Sequence, residues 1–176
     1  NLNGDSVSAP NGTAVSIDQG GNATVSDADS SNFDTGNMTI TRSSGTGNFS
    51  LTGSGSTGVS AGTSTLDADG TLAASEIVFY NGTAIGVVSS TSDGQGSNDL
   101  VVTFGSNATP AAVQALVRAL QYGSTNAGSH SFSLTIKDAS SGATSSASAF
   151  TVDVDASPVN SVPGTQTVVD GTATAI

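Results

Sequence analysis

The feature that most constrains this chain is a two-residue alternation of apolar and small polar side chains. It is clearest in Ser131-Phe132-Ser133-Leu134-Thr135-Ile136 and in Ala149-Phe150-Thr151-Val152-Asp153-Val154. Successive side chains of an extended strand point to opposite faces, so each run predicts a strand with one buried face. Two further pairs of runs read as hairpins. Met38 and Ile40, then Phe49 and Leu51, flank the glycines Gly45 and Gly47, while Ile77 to Tyr80 and Ala84 to Val88 flank Asn81-Gly82. Asn-Gly is the strongest short hairpin signal, because both central residues of a type I′ turn need positive φ. Leu100 to Phe104 is denser in apolar residues and is predicted to be a central strand.

One segment changes period. Thr109 stands where a helix cap is expected, Pro110 at the first helical position, and Val113, Leu116, Val117 and Leu120 recur at helical spacing. A single helix of about ten residues is expected there, crossing between sheets and closing one end of the core. The predicted fold is therefore all-β: an immunoglobulin- or cadherin-like β-sandwich with one short crossover α-helix at about 110–120.

Composition narrows the function. Only 10% of the 176 residues are charged, and 53 are Ser or Thr, a mixture that suits short strands and turns better than long helices. The chain has no Cys, which removes disulfides, thiolate metal sites and thiol catalysis. Arg42, Arg118 and Lys137 are far apart in a chain of net charge −11, so no basic stripe awaits nucleic acid. No apolar run reaches the roughly 18 residues of a membrane span. The sole histidine, His130, sits in a strand and reads as a half-exposed strand residue, not a catalytic base, and the absence of Trp argues against aromatic platforms for sugars. No catalytic group is assigned, and the expectation is that the protein is not an enzyme.

Thirteen of the fourteen acids are Asp. A short carboxylate that tolerates turn geometry is the usual ligand for Ca²⁺, which takes six to eight oxygens at roughly 2.3–2.6 Å. Two loops are candidates. Thr65 to Glu76 matches a twelve-residue calcium loop at Asp67, Asp69, Gly70 and Glu76, with Thr65 where an Asp is expected; the other reading is a polar Asp-Gly turn. Asp27 and Asp29, with Asp34 close behind, can wrap an ion if they lie in a turn, or form a solvated turn without one.

The end of the chain repeats its beginning: Asn11-Gly12-Thr13-Ala14-Val15-Ser16-Ile17 matches Asp170-Gly171-Thr172-Ala173-Thr174-Ala175-Ile176. Between lies Ser157-Pro158-Val159-Asn160-Ser161-Val162-Pro163-Gly164, a Pro-spaced stretch suited to an extended junction. Residues 1–156 are thus expected to form the sandwich, and 157–176 a junction and a strand like the start of another unit. That tail is expected to pair with a neighbouring copy or repeat, head to tail, through residues 159–176.

The stretches Asn22-Ala23-Thr24-Val25-Ser26-Asp27-Ala28-Asp29-Ser30, Asn98-Asp99-Leu100-Val101-Val102-Thr103-Phe104, the Ala108-Thr109-Pro110 helix leading to Tyr122, and Val159-Asn160-Ser161-Val162-Pro163-Gly164 resemble the cadherin-like repeats of giant bacterial surface adhesins. The similarity runs over nearly the whole chain. It implies tandem sandwiches forming extracellular stalks for attachment or biofilm cohesion, with calcium at loops and junctions. Asp5, Asp153 and Asp155 are on that basis candidates for ions between units. A ligand- or carbohydrate-binding adhesin module is the alternative function. The chain departs from the family at Lys137-Asp138-Ala139-Ser140-Ser141-Gly142, where an acidic Asp-Gly-Asp-Gly type turn is usual and Asp138 is the one acid left.

Overall fold

A computed structural model describes residues 2–53, 55, 57–138 and 142–157. Eleven strands and one α-helix follow in the order β1 (Ser6–Ala9), β2 (Val15–Ser16), β3 (Asn37–Arg42), β4 (Asn48–Leu51), β5 (Val59–Gly62), β6 (Ile77–Tyr80), β7 (Thr83–Asp93), β8 (Leu100–Phe104), α1 (Pro110–Ala119), β9 (Leu120–Gly123), β10 (Gly128–Lys137) and β11 (Ser148–Val154). Eight strands make one sheet in the order β1-β11-β10-β3-β8-β7-β6-β5, and three make a second in the order β2-β9-β4. Alternation governs burial as the sequence requires: His130, Phe132, Leu134 and Ile136 of β10 and Phe150, Val152 and Val154 of β11 point inward. The sheets meet through aromatic rings. Phe132 of the large sheet packs on Phe49 and Tyr122 of the small one at centroid distances of 5.2 and 4.8 Å, and stacks on Phe150 at 5.1 Å.

The helix and one hairpin form where the sequence places them. Thr109 Oγ1 accepts from the Ala112 amide at 3.3 Å, Pro110 opens the helix, and Val113, Leu116 and Val117 are buried. Helix α1 carries the chain from β8 in the large sheet to β9 in the small one. Asn81 and Gly82, with φ of 49° and 76°, join β6 to β7 with Tyr80 opposite Thr83. Strand β8 is central, between β3 and β7.

The other hairpin does not exist. Strand β3 pairs with β10 and β8, whereas β4 pairs with β9 in the opposite sheet. The glycine-rich residues between them form a crossover between layers. Both sides of β3 are already occupied, so β4 has no free edge to join there. Of the expected junction and pairing strand at 157–176, residues 158–176 lie outside the described residues.

Strand direction fixes the two ends of the domain. β1 runs parallel to β11, with Ser6 opposite Thr151 and Ala9 opposite Val154. The incoming residues are tied to the start of β11, since the Gly4 amide donates to Ala149 O at 2.7 Å and the Ala149 amide to Asn3 Oδ1 at 3.0 Å. The outgoing residues leave beyond its far end, where the Asp155 amide donates to Ala9 O at 2.9 Å. Asp5 and Asp155 are five rows apart in this register, about 16 Å at the usual strand rise.

Candidate functional site

At the incoming end, three carboxylates converge. Oxygens of Asp27, Asp29 and Asp138 all lie within 4.8 Å of one another, a group of three acids brought together among the described residues. Asp138 directly follows β10 and is buried, its amide donating to Ala143 O at 2.9 Å across the turn. Asp27 and Asp29 sit on the connector between β2 and β3, which the helix holds in place. Arg118 Nε donates to Ala23 O at 2.8 Å, and Gln114 Oε1 accepts from the Val25 amide at 3.2 Å. The connector turns at Asp27, whose Oδ1 accepts from the Asp29 amide at 3.3 Å and whose Oδ2 accepts from Ser30 Oγ at 2.7 Å.

Crowding splits the two neighbouring acids. The Ser30 hydroxyl, and then the contact with Asp29, hold the Asp27 carboxyl below the usual range. The same contact with Asp27, followed by the charges of Asp27 and then Asp138, pushes the Asp29 carboxyl up. Each of the three carboxylates offers one hard oxygen to a common point, the donor type Ca²⁺ takes, and a cation there relieves the repulsion among them. The donor type therefore suits calcium, with three of its six to eight oxygens supplied by these side chains. Beside the acids lies a groove of about 380 Å³ with Leu2, Phe33, Val117, Leu134 and Ile136 among its lining residues.

The remaining sequence candidates are dispersed. Asp34 is exposed and outside the cluster. Asp67, Asp69 and Glu76 do not converge; each closes a local turn. Asp67 takes hydrogen bonds from the Thr63 and Ser64 hydroxyls and amides, which hold its carboxyl far below the usual range, the Thr63 hydroxyl contributing most. Asp69 Oδ1 accepts from the Thr71 amide at 2.6 Å and Glu76 Oε2 from the Ala73 amide at 2.9 Å. Asp5 accepts from the Gln19 amide at 2.9 Å, and Asp153 from Ser6 Oγ at 3.3 Å. Asp155 is exposed at the outgoing end. Asp138 was missed because it is more than a hundred residues from its partners; its place immediately after the most regular strand was the available signal.

A second polar centre lies toward the outgoing half, and nothing in the spacing of the sequence announced it. The Arg42 guanidinium lies 5.3 to 5.4 Å from the ring centroids of Phe49, Tyr122 and Phe132. Its Nη1 donates to Tyr122 Oη at 3.2 Å, and its Nη2 to the carbonyls of Gly47, Asn98 and Gly94 at 3.2, 3.2 and 3.4 Å. Its Nε is buried without a hydrogen bond. Tyr122 Oη in turn lies 2.6 Å from His130 Nδ1. His130 is 3% exposed, so its reading as a half-exposed residue is corrected: it shares the inward phase of Phe132 on β10.

Gly58-Val59-Ser60-Ala61-Gly62 has the Gly-x-Ser-x-Gly spacing of a nucleophile elbow. Here it is strand β5 and not a strand-to-helix turn, and Ser60 is fully buried with Oγ donating to Gly55 O at 2.7 Å. His130 is five strands away in the same sheet, about 24 Å at normal strand spacing. No known protein family, curated protein or solved structure matches this chain.

Proposed function

We propose that this protein is an extracellular structural and adhesive unit, stiffened by calcium, that works end to end with neighbouring copies or repeats in cell attachment or matrix cohesion. The observation that carries this reading is the parallel pairing of β1 with β11, which brings the chain in at one end of the sandwich and takes it out at the other. A unit threaded that way transmits load along its strands through the hydrogen bonds of its own sheet. The convergence of Asp27, Asp29 and Asp138 at the incoming end adds support, because an ion there stands where a preceding unit abuts. The high Ser, Thr and Gly content and the lack of Cys suit a long exposed surface protein assembled without disulfides.

Sedimentation velocity and electron microscopy of the full chain, in millimolar calcium and in chelator, test the reading together with a calcium titration. Calcium-dependent strings or end-to-end oligomers are expected. A protein that binds no calcium and stays monomeric at every concentration overturns it.

A further inference from the structure

We propose that the outgoing half of the sandwich carries an acid-opened latch, in which protonation of His130 releases the crossover at residues 43–47 from β10. The inference goes beyond the end-to-end role and does not depend on calcium. It begins with the direction of the hydrogen bonds. A guanidinium only donates, so Arg42 Nη1 uses Tyr122 Oη as an acceptor, and the tyrosine's own proton is free to point at His130 Nδ1, 2.6 Å away. Nδ1 is then the acceptor nitrogen, which leaves the neutral ring with its proton on Nε2. The relay Arg42 to Tyr122 to His130 is complete only while His130 is uncharged.

The crossover rests on this ring. Gly45, at φ 85°, lies so close that a Cβ there would come within 2.3 Å of His130 Cγ. Just before it, the Ser43 and Ser44 amides donate to Ser131 O at 2.8 and 3.3 Å, and the Ser131 amide returns a bond to Ser44 Oγ at 3.0 Å. The far end of the crossover is held by Arg42 through Gly47 O. A proton added at Nδ1 turns an acceptor into a donor facing the tyrosine hydroxyl, and places a second positive charge beside Arg42 in a buried site.

The charged or titratable groups at the ring are Arg42 from β3 and Tyr122 from β9, while Asp153, on the outward phase of β11, acts on it only through its charge. Burial, then the charge of Arg42, hold the imidazole below its ordinary range, and Asp153 opposes them more weakly. The sign follows from linkage. A base whose folded pKa is depressed leaves the unfolded chain binding more protons, so the latch loses stability as pH falls below about 6.5. The contact is intact at neutral pH and opens in acid.

His130 is the one histidine in the chain, so its ring signals in an NMR titration are unambiguous. The test follows those signals and amide hydrogen exchange from pH 7.5 to 5.0, correcting for intrinsic exchange. Protection at Ser43, Ser44 and Ser131 is expected to fall at least tenfold more than at Val102 in β8, in step with ring protonation. In His130→Gln, which is neutral at every pH, that selective loss should vanish. Should this variant fail to fold, Tyr122→Phe serves: the crossover should already be weakly protected at pH 7.5 and lose less further protection in acid than the parent. A uniform loss over all strands, an unchanged loss in the variant, or ring protonation without any loss overturns the proposal.

Discussion

Replacing Arg42 by Met keeps an aliphatic stem against Phe49, Tyr122 and Phe132 but deletes the guanidinium. Four hydrogen bonds disappear, and burial decides which of them matter. Gly94 and Tyr122 are buried, but Gly94 O keeps the Phe49 amide at 3.0 Å, so the loss of a buried charged partner falls mainly on Tyr122 Oη, at about 1.5–3 kcal/mol. Asn98 is exposed and Gly47 half-buried, so water replaces much of what is lost there. Loss of the cation from three aromatic faces adds about 1 kcal/mol. Against this, removing the buried unpaired Nε returns about 1 kcal/mol of desolvation. The net expected cost is about 2 kcal/mol, which at a slope of about 1–3 kcal/mol per molar urea lowers the unfolding midpoint by roughly 0.7–2 M. Arg42→Lys should recover less than half, because one ammonium cannot reach four acceptors that diverge around a planar fork. Equilibrium urea denaturation followed by tyrosine fluorescence measures both. A cost under about 1 kcal/mol for Met, or a Lys variant as stable as the parent, refutes the view that Arg42 ties the crossover and the 94–98 loop to the core.

Calcium at a hundredfold excess over its dissociation constant should add about 2.7 kcal/mol, raising the melting temperature by about 5–10 °C relative to chelator; calorimetry on protein verified metal-free checks this. Asp138→Asn should remove about one calcium equivalent in a titration, whereas replacing Asp67 and Asp69 together by Ala should leave the stoichiometry unchanged. Leu116→Ala, at a fully buried helix position, should cost about 2–5 kcal/mol of unfolding free energy. The depressed Asp67 carboxyl contributes stability above its unfolded pKa and loses it as pH falls below about 4, so acid unfolding of Asp67→Asn should show a shallower loss in that range.

Asp67, Asp69 and Glu76 show why the better-looking motif gave the poorer site. Their spacing matched a calcium loop, but Thr63, Ser64, Thr71 and Ala73 supplied hydroxyls and amides that each carboxylate accepts from locally. Asp27 and Asp29 had fewer local donors, and an acid from a distant strand end completed their group. The crossover between β3 and β4 is a similar case. Glycines between two alternating runs suit a hairpin, yet they also suit a change of layer, and only the pairing of β3 on both sides excluded the first.

What the sequence determined by itself was whatever depends on near neighbours: the inward face of β10 and β11, the Asn81-Gly82 turn, the cap and buried stripe of α1, and from these the all-β class. Each is a consequence of side-chain direction or φ preference within a few residues, which a linear pattern records directly. His130 belonged to that class too, since its phase with Phe132 already placed it inside. The tertiary structure alone decided which strands became neighbours: β1 beside β11, Asp138 beside Asp27, and Arg42 among rings from both sheets. Those meetings depend on edge availability and on the balance of core packing over the whole chain. No local spacing encodes them, because residues more than a hundred positions apart become adjacent only when every strand between them has found its place.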